Sequence, residues 1–132
     1  MLYLVQNTTN TIILSLIEKV TIINPTFLFR FVHKETLNEY TCICAIDTLY
    51  SQDRQSFNII TKSTTPSPLA GELQLIYGDE YNYYIYAQAS TTNLNYTLAD
   101  ELVEEGIMKF NKTITPRNKY ARNTTTRKSY IR

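Results

Sequence analysis

Phe27-Leu28-Phe29-Arg30-Phe31-Val32-His33 sets a phenylalanine at every second position and a different company, Leu28, Arg30 and Val32, in between. Side chains of a strand point alternately to its two faces, so this period of two predicts a strand with one strongly apolar face. His33 continues the phenylalanine face and is expected as a strand-end side chain with a local partner. The period recurs on either side: Ile12, Leu14 and Leu16 alternate with Ile13 and Ser15, and Leu73, Leu75 and Tyr77 alternate with Glu72, Gln74 and Ile76. Runs at 2–6, 40–46, 56–61, 81–89 and 107–111 bring the expected strands to eight. Turn-forming residues separate them, at 7–10, Asn24-Pro25, Leu37-Asn38, 47–55, 63–68, Gly78-Asp79 and 90–95. Short strands at this spacing predict an all-β domain, an antiparallel β-sandwich of immunoglobulin or jelly-roll type, with Phe29 and Leu75 in its core. The one helix candidate is 98–105, where Leu98, Leu102 and Val103 form a short stripe that Gly106 would terminate.

Charge divides the chain differently from hydrophobicity. Residues 111–132 carry seven basic side chains and no acidic one, whereas residues 1–110 carry six Lys/Arg and all twelve carboxylates, a net −6. The formal total of +1 therefore hides a dipolar molecule. We read residues 1–110 as one sandwich domain and 111–132 as an extended basic C-terminal arm with too few apolar residues for a core of its own. No stretch approaches the ~18–20 uncharged apolar residues that span a bilayer, and the first residues lack the basic start and small-residue cleavage site of a secretory signal. No membrane partner is expected, and the protein is expected to stay inside the cell that makes it. In that setting the Asn-x-Ser/Thr triplets at Asn7, Asn95, Asn111 and Asn123 follow from an Asn- and Thr-rich composition.

Candidate chemistry is sparse. There is no Gly-x-Gly-x-x-Gly, phosphate loop or Gly-x-Ser-x-Gly elbow among only three glycines. Cys42 and Cys44, two apart on one strand face, sit ~6.5–7 Å apart at Cα, too far for comfortable disulfide geometry, and are expected as small buried hydrophobes. Two thiols and one histidine make no metal site, so no catalytic, cofactor or metal residues are expected. Asp47 and Arg54 are expected to close a loop, and the adjacent Glu104 and Glu105 to form a solvated face.

Two anomalies remain. Tyr77, Tyr81, Tyr83, Tyr84 and Tyr86 make both faces of one strand aromatic. These rings suit the ends of the core, a protein interface (Tyr81, Tyr83, Tyr84, Tyr86), or stacking on sugars or bases. The arm offers Lys112, Arg117, Lys119, Tyr120, Arg122, Arg127, Lys128, Tyr130 and Arg132 to an anionic partner. A solubilising tail and a nucleic-acid arm are both open readings, but the interspersed threonines favour an extended segment that adds a strand to a neighbour.

Three segments together resemble a known group: Asp47-x-x-Tyr50-x-x-x-Arg54-x-x-Phe57; Gly71-Glu72-Leu73 leading to Tyr83-Tyr84-Ile85-Tyr86-Ala87-Gln88-Ala89-Ser90-x-x-Asn93-Leu94; and Glu105-Gly106-Ile107-Met108-Lys109-Phe110. They are similar to small virion proteins of tailed bacteriophages that infect Bacteroidetes, crAss-like phages included. The resemblance covers most of residues 1–110 and implies an auxiliary capsid, or head-decoration, protein with a β-sandwich core. It implies no enzyme and no cofactor. The partners it implies are the major capsid protein or other virion proteins, bound in multiple copies, in a virion assembled in the host bacterial cytoplasm. A head-tail connector, a tail-fibre adaptor and a nucleic-acid-binding accessory protein are the alternatives. The chain departs from the group in its 22-residue basic arm and at Thr48.

Overall fold

The computed structural model describes residues 1–51 and 54–112. The chain is all-β, with nine strands: β1 (Leu2–Val5), β2 (Thr9–Leu14), β3 (Thr26–His33), β4 (Glu39–Cys44), β5 (Ile46–Ser51), β6 (Arg54–Thr61), β7 (Glu72–Leu73), β8 (Asp79–Gln88) and β9 (Glu101–Asn111). Three single 3-10 turns, Ile17–Lys19, Pro68–Ala70 and Tyr96–Leu98, are the helical content of the described residues.

The strands form a five-stranded sheet in the order β1-β9-β8-β3-β4 and a second sheet in the order β2-β6-β5, with β7 also on β6. Pairing is antiparallel except at β1–β9 and β6–β7, which are parallel. The expectation of a purely antiparallel fold is thereby corrected. Parallel neighbours need a long crossover, and β1 and β9 lie at opposite ends of the described chain.

Both sheets turn one apolar face to a common core. Phe27, Phe29 and Phe31 of β3 and Tyr81, Tyr83 and Ile85 of β8 meet Ile12 and Leu14 of β2 and Phe57 and Ile59 of β6. Edge-on contacts of Phe57 with Phe27 (5.6 Å) and Phe29 (5.5 Å) join the two sheets, the offset geometry that aromatic pairs prefer. Phe29 and Leu75 are buried as expected. Cys42 and Cys44 are free and buried with their sulfurs 3.7 Å apart; the contact with Cys44 and burial push the Cys42 thiol well up.

Three sequence expectations shift. The helix candidate is extended chain: its last five residues belong to β9, and only Leu98 lies in a 3-10 turn. Its apolar stripe at i and i+4, Leu98 and Leu102, stays exposed and so buries no helical face, whereas pairing along β8 gives the backbone of 101–105 hydrogen-bond partners. The loop expected at 47–55 begins with a strand, because the chain leaves β4 and after Ala45 continues as β5 in the other sheet. Asp47 and Arg54 thus sit on two paired strands. The run at 72–77 keeps only two strand residues in β7, although Leu73 and Leu75 are still buried.

Turn chemistry fares well. Asn7 and Asn24 both take positive φ (57° and 53°), which Asn tolerates better than most residues. Gly71 follows the Pro68–Ala70 turn at φ 77°, and a side chain there would stand 3.1 Å from the Asn58 carbonyl.

Candidate functional site

Pairing fixes which tyrosines of β8 face which way. Opposite β3, Tyr84 pairs with Arg30 and Tyr86 with Leu28, on the face turned away from the core. On β4, Glu39 and Thr41 flank the same spot. The Arg30 guanidinium donates from Nε to Glu39 Oε1 at 2.9 Å. Its carbon lies 3.8 Å from the Tyr96 ring centroid and 5.0 Å from that of Tyr84, a doubled cation–π contact. Tyr96 in turn lies 5.7 Å from Tyr86. Glu39 holds Arg30 firmly in its charged form, and the Arg30 hydrogen bond lowers the Glu39 carboxyl below its usual range. Burial raises the Tyr86 phenol, against the opposing pull of Arg30. The result is an aromatic surface around one guanidinium whose side chain is only 13% exposed.

Tyr96 arrives there on the connection between β8 and β9, which crosses the outer face of the sheet. That crossing places Leu28 and Ile43 under cover although they face away from the main core. The connection is knitted by its own polar side chains. Gln88 and Asn93 exchange hydrogen bonds, Nε2 to the Asn93 carbonyl at 2.9 Å and Asn93 Nδ2 to Gln88 Oε1 at 2.7 Å. Asn95 Oδ1 accepts from the Thr97 amide (3.1 Å) and caps the 3-10 turn, and Asp100 Oδ2 accepts from the Ala89 amide (2.8 Å). A loop so tied presents Tyr96 in one place, which lowers the ordering cost of any docking event. The side-chain amide of Asn93 and the Oδ1 of Asn95 are spent on the loop itself, beside the groove that Glu39 and Thr41 line.

The other two tyrosines of the expected interface lie in the core, which corrects that expectation. Tyr81 is 0% and Tyr83 is 5% exposed. Each places its ring inside and its hydroxyl on an acceptor: Tyr81 donates to the carbonyl of Tyr77, and Tyr83 donates to Glu104 at 2.8 Å. Burial raises both phenols, that of Tyr83 with help from Glu104. Glu104 also receives Lys19 at 2.8 Å, and Glu101 accepts from the Thr21 amide at 2.8 Å, so these carboxylates anchor the segment between β2 and β3. Glu104 is thus no part of a solvated pair, whereas Glu105 is exposed. The Tyr83 ring needs Gly106 opposite it, where an added Cβ would come within 2.8 Å of the ring.

His33 is a buried strand-end residue with local partners. Its Nδ1 accepts from the Thr36 amide at 3.2 Å and its Nε2 lies 3.1 Å from the Gly78 carbonyl, which together select the Nε2–H tautomer. Of the arm, Lys112 donates to the Ile76 carbonyl at 2.8 Å. Arg117, Lys119, Tyr120, Arg122, Arg127, Lys128, Tyr130 and Arg132 lie outside the described residues.

Compared with family models, curated proteins and solved structures, the chain matches none of them. Function must then be read from the site. Arg30, Glu39 and Tyr96 are its members that the sequence reading did not single out. A lone arginine at an outward position of an otherwise apolar strand was the available signal for the first. Among the described residues, no helix is long and apolar enough to cross a membrane.

Proposed function

We propose that this chain is a non-enzymatic structural protein of a tailed-bacteriophage virion, an auxiliary capsid protein whose sandwich rests on the shell and whose arm grips a neighbouring subunit. The observation that carries this reading is the aromatic surface of Arg30, Tyr84, Tyr86 and Tyr96. Tyrosine and arginine are the residues that dominate protein interfaces, because they combine large contact area with few rotors and a polar end. Here they are held in place before any partner arrives.

The fold supports it at the finer level. The strand order β1-β9-β8-β3-β4 against β2-β6-β5 supports an immunoglobulin-type reading, in which β3, β8 and β9 would stand as the C, F and G strands. Tyr81, early in β8 with its hydroxyl on a backbone carbonyl four residues upstream, supports the same reading, since such domains carry a tyrosine corner of this kind. Jelly-roll topology is the less suitable description. The resemblance of residues 47–57, 71–94 and 105–110 to head-decoration proteins supplies the setting, and presentation in many copies would let a modest contact area suffice through avidity.

The test is co-sedimentation of the full chain with particles assembled without it, beside a gel-shift with DNA at physiological salt. Binding to particles that is lost in Tyr84→Ala/Tyr96→Ala supports the reading. A tight, steeply salt-dependent gel-shift without particle binding would replace it by the nucleic-acid alternative.

A further inference from the structure

The edge of the five-stranded sheet is covered over only part of its length. On the side of β9 away from β8, β1 pairs from Met108 to Asn111, and among the described residues no strand pairs there with Glu101–Ile107. Within the covered stretch the alternate residues Met108 and Phe110 are buried, whereas none of residues 101–107 is. An open edge is a row of unpaired amide and carbonyl groups, a template for another strand. A register shift opposite Ile85 and Tyr86 interrupts it, so the regular part is Glu104–Ile107, continuous with the stretch that β1 already occupies.

The charges on this edge say what it accepts. Glu101, Glu104 and Glu105 lie along it; Glu101 already holds the Thr21 amide and Glu104 the Lys19 ammonium, whereas Glu105 is exposed and makes no ion pair among the described residues. Carboxylates on an edge repel the same edge of a second copy, a common guard against self-pairing, but they attract a basic strand. Residues 113–132 of this same chain carry six Lys/Arg and no acid, interspersed with threonines.

Where the arm begins decides whose edge it meets. β9 ends at Asn111 beside Val5, and Lys112 bonds to the Ile76 carbonyl, so the arm departs at the far end of β9 from the open stretch. From Asn111 back to Glu104 is ~23 Å of strand at 3.3 Å per residue, and β1 fills the first part of that path. A neighbouring copy offers the edge without that obstacle.

We propose that residues 113–132 of one copy bind as an added strand along Glu104–Ile107 of a second copy, extending its five-stranded sheet. The inference rests on the reading of 111–132 as a binding arm and names its receptor. Because donor and acceptor surfaces differ, the contact is head-to-tail and can link successive copies around a shell or into an open row.

A photo-crosslinking residue in place of Glu105 in the full chain tests it, with equal amounts of isotopically heavy and light protein mixed before irradiation. Heavy–light cross-links from position 105 to residues 113–132 are expected. Cross-links confined to one isotope, or none to 113–132, overturn the proposal. In parallel, Glu105→Arg should weaken concentration-dependent self-association in sedimentation velocity by roughly three- to tenfold at low salt. Unchanged self-association would count equally against it. The two readings fail separately: particle binding without heavy–light cross-links sinks the edge contact alone, and heavy–light cross-links without particle binding sink the capsid role alone.

Discussion

The two faces of β8 are written in the same letters and do opposite work. Tyr81 and Tyr83 point inward, lose their water, and find single acceptors for their hydroxyls in the Tyr77 carbonyl and Glu104. Tyr84 and Tyr86 point outward and are organised around Arg30 and Tyr96. The inner pair is judged by packing, where a missing or extra atom is felt by every neighbour. The outer pair is judged by what it can offer to another molecule. Alternation alone separates the two pairs, but only the partner strand reveals which pair is which.

Substitutions on the inner face should do the most damage. Phe29→Ala removes a ring that contacts Phe57 of the other sheet and should cost ~3–5 kcal/mol in chemical denaturation. A stability close to that of the parent chain would mean that the sheets do not share this core. Next comes Gly106→Ala, which tests the seat of the Tyr83 ring. With the new methyl 2.8 Å from that ring, overpacking of ~1–3 kcal/mol is expected. Tyr81→Phe isolates a single hydroxyl and should cost ~0.5–1.5 kcal/mol, since it leaves the Tyr77 carbonyl without its donor.

On the outer face the expected effects on stability shrink. Arg30→Met should change it by less than ~1 kcal/mol, because a partly exposed ion pair and cation–π contacts are each worth little. Faster amide exchange across residues 89–100 should accompany it, since Tyr96 loses its anchor. The smallest effect concerns pH. The folded-state Glu39 carboxyl lies below its ordinary value of 4.5, so its contribution is present above about that pH and fades as pH falls through the folded value. Urea melts of the parent chain and Glu39→Gln should therefore differ slightly at pH 7 and converge at pH 3.

Much of this was legible in the sequence for a physical reason. Phe27, Phe29 and Phe31 announce a face because burial acts on every second residue of a strand, and Asn7 and Asn24 announce turns because few other side chains accept their backbone angles. What stayed hidden depends on contacts distant in sequence. Gly106 reads as a helix stop, yet its use is the Tyr83 ring 23 positions earlier. β5 reads as a loop because Ile46-Asp47-Thr48-Leu49-Tyr50-Ser51 has no clean alternation of apolar and polar residues, and the strand lies at the end of its sheet. Tyr96 lies among turn residues and joins the aromatic surface only when its loop crosses the sheet.

The division of labour between the faces is tested most directly by one pair of measurements on Tyr84→Ala/Tyr96→Ala, namely its melting temperature and its co-sedimentation with particles assembled without the protein. A melting temperature within a few degrees of the parent, with particle binding reduced at least about tenfold, is the predicted result. Unfolding as severe as that of Phe29→Ala, or particle binding equal to that of the parent, would contradict it.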